Sequence, residues 1–408
     1  MSPGSNPFEG MPFFGDLLKM LGTQGPVQWD GARQLALSIA TGGEDEPNVD
    51  PTDRIFFEQL TRIAELQVAQ ATGLPTSPAG GSLQIQPVTR SYWALITLEA
   101  YKPLIETMAQ ALRPPAAAHP SQTDPTTELI LNDAAEGDPT EAWLTQIMGL
   151  LSPMLLGMTT GSLVGHLATR SFGVYDLPIP RALVDDIYVV SPNINAFADG
   201  WSMDLKDLQL WVCLHQLTHH AVLGVPHVRA RMNELLLDYA GAFESDPDAL
   251  ATKLTDLDVD PSGGDPMARF QELMGDPEVI LGAVRTPRQD EILPWLEALV
   301  TVIAGYVDHV MDRIGHGLVG GYPQITEAMR RRRVESSPAD RFVERLLGLD
   351  LTQDHFDRGR AFIDGVVERA GEQGLERLWS SAEVLPTPNE VAAPGLWLAR
   401  IEFELDEG

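Results

Sequence analysis

The stretch that decides the fold reads LWVCLHQLTHHAVLG and runs from Leu210 to Gly224. It belongs to a longer apolar run, 208–223, which Asp204 or Ser202 can cap at its start. Gly224 and the following Pro226 are typical of a helix end. The sequence therefore predicts a helix whose apolar residues bury its two central histidines.

The two histidines, His215 and His219, lie four residues apart. This spacing places both imidazoles on one face of the helix, one turn apart, where two ring nitrogens can bind one zinc ion. The alternative is a core helix whose histidines are hydrogen-bonded to carbonyl groups. His220 lies about 100° round the helix from His219, so we expect it to face elsewhere.

Gln216 follows the first histidine, at the position of the glutamate in the zinc-protease motif H-E-x-x-H. That glutamate takes a proton from metal-bound water and passes it to the leaving amine. Glutamine has the same shape but cannot accept the proton, and loss of a general base costs roughly two to four decades of rate. Metal binding need not suffer, because the glutamate is not a ligand.

The composition limits the possible functions. The chain has 408 residues, a formal charge of −30 and one cysteine, Cys213. A single cysteine rules out a disulfide framework and a thiolate zinc cage, and the negative charge argues against nucleic acid and an anionic membrane surface. The N-terminus, MSPGSNPFEG, has no secretory signal pattern, so we expect a cytoplasmic location.

One segment, Ile147 to Ala168, is uncharged and long enough to cross a bilayer. Its polar residues and the lack of a second such segment favour a buried helix instead. Gly157, Gly161 and Gly165 recur every four residues and would give this helix a flat face for a neighbouring helix. We therefore predict no membrane span.

The rest of the chain predicts a mainly α fold with minor β elements. The linker SPAGGSLQIQPVTR is expected to hold a short strand, and DIYVVSP gives the clearest strand pattern. The C-terminal GLWLARIEFELDEG alternates like a strand or forms a docked tail. Residues 113–127 are rich in Pro, Ala and Thr and predict a flexible loop between an N-terminal helical region, 1–112, and a metal-site region, 128–408. We expect the two regions to form one integrated domain.

The chain resembles the actinobacterial zinc-dependent metalloprotease family. The resemblance covers almost the whole length and includes LLGMTTGSLVGHLATR, YDLPIPR, LWVCLHQLTHHAVLGVPHVRARM, AGYVDHVMDRIG and LPTPNEVAAPGLWLARIEFE. It implies a mainly helical, zincin-like metallopeptidase fold, Zn²⁺ as the cofactor and hydrolysis of peptide bonds.

This sequence departs from the family pattern at two positions. Gln216 replaces the motif's glutamate, which is consistent with natural divergence and with a substitution made to silence a protease. The downstream ligand pattern, similar to E-G-[HWY]-x-D, reads Ala304-Gly305-Tyr306-Val307-Asp308, and Ala304 cannot bind a metal.

Asp308 then either replaces the missing ligand or supports a ligand histidine without contacting the metal. Asp312, one turn further along, could substitute for Asp308. Tyr306 could donate to an oxyanion or simply pack.

Four consecutive arginines, Arg330 to Arg333, invite a nucleic-acid interpretation, but nearby acidic residues favour a solvated or salt-bridged face. The expected function is that of a zinc-metallopeptidase-like protein, with His215, His219 and Asp308 at the metal, and weak or no activity. The alternative is a non-catalytic pseudopeptidase that serves as an interaction or scaffold protein. In either case we expect the partner to be a peptide or protein.

Overall fold

A computed structural model of the protein describes residues 25–112, 139–245, 283–284, 286–335, 346–349 and 352–406. Helices make up most of the described chain, which confirms the predicted mainly α class. In chain order the helices are α1 (Trp29–Thr41), α2 (Pro51–Thr72), α3 (Arg90–Ala111), α4 (Pro139–Ala168), α5 (Ser191–Gly200), α6 (Leu205–Gly224), α7 (Pro226–Gly241), α8 (Pro287–Leu318), α9 (Tyr322–Val334), α10 (Gln353–Glu376), α11 (Pro388–Val391) and α12 (Pro394–Asp406).

The β elements form two small sheets. Strands β1 (Gln84–Val88) and β2 (Asp186–Val190) pair in parallel, as the two predicted strand segments allow, with Gln84 opposite Asp186. Gly173 adds an antiparallel bridge to Val189 of β2, so the chain before β2 turns back along its free edge. Strands β3 (Glu244–Ser245) and β4 (Ala283–Val284) form a separate two-residue antiparallel pair.

Helix α6 occupies the centre of the molecule, as the apolar run predicts. It contacts α2, α5, α7, α8, α9 and β2. Helix α8 begins with a capping box between Thr286 and Gln289 and packs against α6, α7 and α10. Where α8 crosses α10, a Cβ at Gly305 would lie 2.3 Å from a backbone atom of Gly359, so only glycine permits this close approach.

The glycine face of α4 packs against α1, which confirms the predicted role of these glycines. A Cβ at Gly157 would lie 2.7 Å from the carbonyl oxygen of Gln28, and one at Gly161 would lie 2.4 Å from that of Ala32. On the opposing helix Ala32 is completely buried. The two backbones therefore approach closely because neither side presents a larger side chain. Among the described residues, no helix combines the length and apolarity needed to cross a bilayer.

The C-terminal segment GLWLARIEFELDEG corrects the expectation of a strand, because it forms helix α12, which docks on α10 and α11. Pro394 at its start suits the first helical turn. Trp397 and Ile401, four residues apart, are both buried, so the helical period explains the apolar residues better than alternation does. The predicted loop at 113–127 lies outside the described residues.

Candidate functional site

The helix that carries the histidine pair is fixed at both ends. The Asp204 carboxylate accepts hydrogen bonds from the backbone N–H groups of Lys206 (2.9 Å) and Asp207 (3.1 Å), which caps α6. Between Leu208 and Leu223 every side chain is buried except His215, which keeps part of its surface open. The only break in this buried run therefore lies at the first histidine of the motif.

The two imidazoles lie side by side. Their ring centroids are 4.6 Å apart and the ring planes are inclined by 55°. His215 stacks on Trp211 at 4.8 Å, with the planes nearly parallel, and His219 Nδ1 is 3.1 Å from the carbonyl oxygen of His215. That carbonyl fixes the proton of His219 on Nδ1, so its Nε2 presents a lone pair. Among the residues that the structure describes, none bonds this Nε2 or either ring nitrogen of His215.

Burial keeps both histidines neutral. It lowers the pKa of His219 to about 4, although the nearby Asp308 and Asp176 carboxylates act in the opposite direction. Burial also lowers the pKa of His215 well below its usual value, because a charged ring there would lose its hydration and would be repelled by a protonated His219, by Arg333 and by Arg332. Neutral imidazoles are the form that binds a metal ion, so the pair is ready to act as ligands at neutral pH.

Both histidines line one cavity of about 150 Å³. The space equals that of about five water molecules at roughly 30 Å³ each, so it is large enough for an ion and a small group beside it. Polar and apolar residues share its wall. They are Leu167, Arg170, Ser171, Phe172, Asp176, Leu177, Pro178, Trp211, Val212, His215, Gln216, His219, Ala304, Met329, Arg332, Arg333 and Phe356.

Gln216 is held at both ends of its side-chain amide. Its oxygen accepts a hydrogen bond from the backbone N–H of Tyr175 (2.7 Å), and its NH₂ group donates to Asp176 Oδ1 (2.9 Å). A backbone donor on one side and a carboxylate on the other permit only this orientation of the amide. Gly173 leaves the necessary room, because a Cβ there would lie 2.4 Å from Gln216 Cδ.

Asp176 connects this glutamine to the loop and to α9. Its oxygens accept from the backbone N–H groups of Phe172 (2.8 Å) and Gly173 (3.1 Å), from Gln216, and from Arg332 Nη2 (3.4 Å). Each oxygen thus has two donors, which fills the capacity of the carboxylate. Although Asp176 lines the cavity, its oxygens are committed to the protein and not to a metal ion.

The opposite wall comes from α8. Ala304 lines the cavity beside the histidines, and its methyl group offers no ligand atom. Asp308, one turn further along α8, forms a two-pronged ion pair with Arg333, with both N–O distances 2.9 Å. Within the part of the chain that the structure describes, no third His, Cys, Asp or Glu completes a metal-binding group with the histidine pair.

The other candidates from α8 lie away from the cavity wall. The ring of Tyr306 packs edge-on against Trp379, with centroids 5.2 Å apart, and burial raises its pKa to about 12. Asp312 accepts from the hydroxyl of Tyr322 (2.6 Å) and from Arg360 (2.8 Å). The structure therefore brings His215, Gln216 and His219 together at the cavity, while Asp308 lies behind Arg333.

Two arginines of the run 330–333 belong to the site, and sequence reasoning missed them. Arg331 pairs with Glu327 at the surface, as expected, but Arg332 and Arg333 line the cavity and pair with Asp176 and Asp308. Asp176 lies in the segment YDLPIPR, far from the arginine run in the sequence, so no local signal indicated the pairing. Only the fold shows that the two segments meet.

The histidine pair fits zinc in donor type, protonation state and orientation. His219 also has the hydrogen bond through its second nitrogen that metal-binding histidines use to fix their orientation. Catalytic zinc sites take three protein ligands, and the described residues supply two. The residues that would hold the ion are therefore His215 and His219.

Comparison with known proteins identifies the family. A model of the zincin-like metallopeptidase family matches residues 27–398. The fold is similar to the crystal structure of a protein from Chloroflexus aurantiacus described as a proposed hydrolase with a novel fold, with a TM-score of 0.60 and 24% identity over 92% of this chain and 99% of that one. No curated protein matches the sequence. The match to the family model covers most of the chain and includes the histidine helix, and this chain belongs to the zincin-like metallopeptidase family.

Proposed function

We propose that this chain is a zinc-metallopeptidase-like protein that binds the metal through His215 and His219 and hydrolyses peptide bonds slowly or not at all. The observation that carries the proposal is the pair of neutral imidazoles on one cavity, with Gln216 bound between Tyr175 and Asp176. Family membership supports the metallopeptidase class, and the two altered positions support the loss of activity.

A zinc ion, when bound, supplies a Lewis acid that polarises a carbonyl group. The residues of this chain would then orient the ion and exclude water around it. His219 is aligned by the carbonyl of His215, and His215 is held by the ring of Trp211. Gln216 cannot serve as a general base, because its amide has no basic oxygen and both of its polar atoms are already hydrogen-bonded.

Asp308 would support the site from behind rather than complete it. Both of its oxygens bind Arg333, and its charge acts on His219 through space. Ala304, which lines the cavity on the α8 side, is the position at which a carboxylate would add a third ligand. The chain would therefore still bind the metal ion but lack the general base that hydrolysis needs.

The test measures zinc content and peptide hydrolysis separately. The purified protein should bind one zinc ion, and His215→Gln together with His219→Gln should abolish binding. Ala304→Glu should tighten zinc binding, and Gln216→Glu combined with Ala304→Glu should produce hydrolysis of a mixed peptide library. Absence of zinc binding in both the unaltered protein and Ala304→Glu would refute the metal site, and a zinc-loaded double variant without activity would refute the peptidase.

A second candidate function is that of a non-catalytic interaction protein in the cytoplasm that keeps a peptidase fold. The observation that favours it is the combination of Gln216 with Ala304 at one cavity. This candidate predicts that a peptide or protein partner binds with unchanged affinity after His215 and His219 are both replaced by Ala. Loss of that binding would favour the metal-dependent proposal instead.

A further inference from the structure

The guanidinium group of Arg332 is buried in the cavity wall with unused donors. Its Nη2 donates to the carbonyl oxygen of Arg170 and to Asp176, and its face lies 3.9 Å from the centroid of the Phe172 ring. Its side chain is only 18% exposed. Among the described residues, none accepts a hydrogen bond from its Nε or Nη1. Nη2 belongs to both two-pronged faces of a guanidinium and is already in use, so the free Nε–H and Nη1–H groups can each donate one charge-assisted hydrogen bond to an anion.

The charges around Arg332 favour an anion at this position. Burial lowers the pKa of Arg332, and the positive charges of Arg170 and Arg333 add to this effect. Asp176 is the carboxylate that opposes them, and its oxygens already have four donors. The histidines beside it are neutral, so they do not repel a metal ion or attract the anion away from Arg332.

Part of the cavity wall is apolar. A ligand whose anionic end reaches Arg332 would place its other atoms against aliphatic and aromatic side chains, which favours an uncharged, apolar group there. These wall residues are Leu167, Leu177, Pro178, Trp211, Val212, Met329 and Phe356. The cavity volume of about 150 Å³ is close to that of one amino-acid side chain with its carboxylate.

We infer that this cavity binds the free carboxylate of a peptide C-terminus, with the carboxylate on Arg332 and an apolar last side chain against the wall beside Trp211. The inference deepens the proposed function and rests on it for the identification of the ligand as a peptide. Because Arg332 and the histidine pair line the same cavity, the bond next to the metal ligands would be the last peptide bond of the chain. The ligand class is thus that of a carboxypeptidase.

The test is a binding measurement on the full chain, freed of metal with a chelator, so that it does not depend on zinc or on activity. The probes are N-acetyl-L-leucine and its uncharged analogue N-acetyl-L-leucinamide, compared by calorimetry. The acid should bind more tightly by roughly 10- to 100-fold, as expected for one charge-assisted hydrogen-bonded pair. Equal binding of acid and amide, or of neither, overturns the inference.

The matched variants are Arg332→Gln and Arg331→Gln, which remove the same charge from adjacent positions. Arg331 pairs with Glu327 on the exposed side of α9, so its replacement should leave the preference for the acid unchanged. Arg332→Gln should abolish the preference, and Arg332→Lys should keep part of it. The inference is also overturned if the Arg332→Gln variant is folded, as a cooperative unfolding transition would show, and still prefers the acid.

Two further measurements distinguish a peptide ligand from other anions, and distinguish failure of this inference from failure of the proposed function. Acetate and phosphate are tested with the same protein, and binding of either as tightly as N-acetyl-L-leucine would reduce the site to a general anion site and overturn the peptide assignment. Zinc binding is measured in parallel. Zinc bound without a preference for the acid refutes this inference alone, whereas a preference for the acid without zinc refutes the proposed function alone.

Discussion

The side-chain NH₂ group of Gln216 donates a hydrogen bond to Asp176 Oδ1 at 2.9 Å, and this bond depends on the residue being glutamine and not glutamate. A glutamate at position 216 would keep the bond from the Tyr175 N–H but would place a second carboxylate against Asp176. Two carboxylates at this distance cannot both remain charged without a large cost, so the pKa of one of them rises. The structure around position 216 is therefore complementary to the amide.

We expect Gln216→Glu to lower the free energy of unfolding by about 1–3 kcal/mol at pH 8. The loss should shrink as the pH falls towards 5, because the folded-state pKa of the shared carboxyl group lies above its value in the unfolded chain and protonation removes the repulsion. Urea unfolding at the two pH values measures the effect. The double variant with Asp176→Asn serves as the control and should recover part of the stability at pH 8, because it removes the repulsion but leaves the Gly173 N–H without its acceptor. An equal loss at both pH values would contradict the explanation.

The ion pair between Asp308 and Arg333 predicts the role of Asp308 in metal binding. Both carboxylate oxygens bind Arg333 at 2.9 Å, and the negative charge acts on His219 through space. We therefore expect Asp308→Asn to weaken zinc binding by roughly 10- to 100-fold, as for a residue outside the ligand set that stabilises the site. His219→Asn should abolish zinc binding. Competition with a zinc indicator measures both variants, and complete loss of zinc in Asp308→Asn would show that Asp308 is a direct ligand.

Because α1 and α4 approach so closely, one added methyl group between them should lower the free energy of unfolding. We expect Gly161→Ala to destabilise the protein by about 1–3 kcal/mol, because the added Cβ would overlap the backbone of Ala32. Gly200→Ala is the matched control, since a Cβ there meets nothing within 4 Å. Thermal unfolding should show a loss only for Gly161→Ala, and equal melting temperatures for the two variants would contradict the packing argument.

The helices could be predicted from the sequence where apolar spacing and end signals agree. The central helix is the clearest case, because its cap at Asp204 and its end at Gly224 both stand in the sequence next to the apolar run. The prediction of a strand in the C-terminal segment failed because Ile401, Phe403 and Leu405 alternate with acidic residues, as they would in a strand. Only the packing of Trp397 and Ile401 in the core distinguishes the two periods.

The site could be predicted only in the part that is local in the chain. His215, Gln216 and His219 lie within one turn and a half of helix, so their spacing defines their geometry. Asp176 and Arg332 are 156 residues apart, and nothing in their local sequence indicates that they pair. The same holds for Asp308 and Arg333, which lie on neighbouring helices whose arrangement the side-chain pattern does not specify.

A buried histidine outside the metal-binding pair makes stability depend on pH. His220 Nδ1 lies 2.9 Å from the hydroxyl of Tyr175, and burial lowers its pKa from 6.5 to about 4, with Arg229 adding to the effect and Asp185 opposing it. As the pH falls from 6.5 to 4, the unfolded chain takes up a proton at this histidine and the folded chain does not, so stability falls. The two pKa values correspond to about 3 kcal/mol at pH 4.

We therefore expect His220→Gln, which keeps an acceptor for the Tyr175 hydroxyl but does not titrate, to lose less stability than the unaltered protein between pH 7.5 and pH 4.5. Unfolding by urea in the presence of a chelator measures both proteins without bound metal. His215 and His219 titrate in both proteins, so the difference between the two curves reports His220 alone. Parallel curves over this pH range would mean that His220 is protonated in the folded protein as easily as in the unfolded chain.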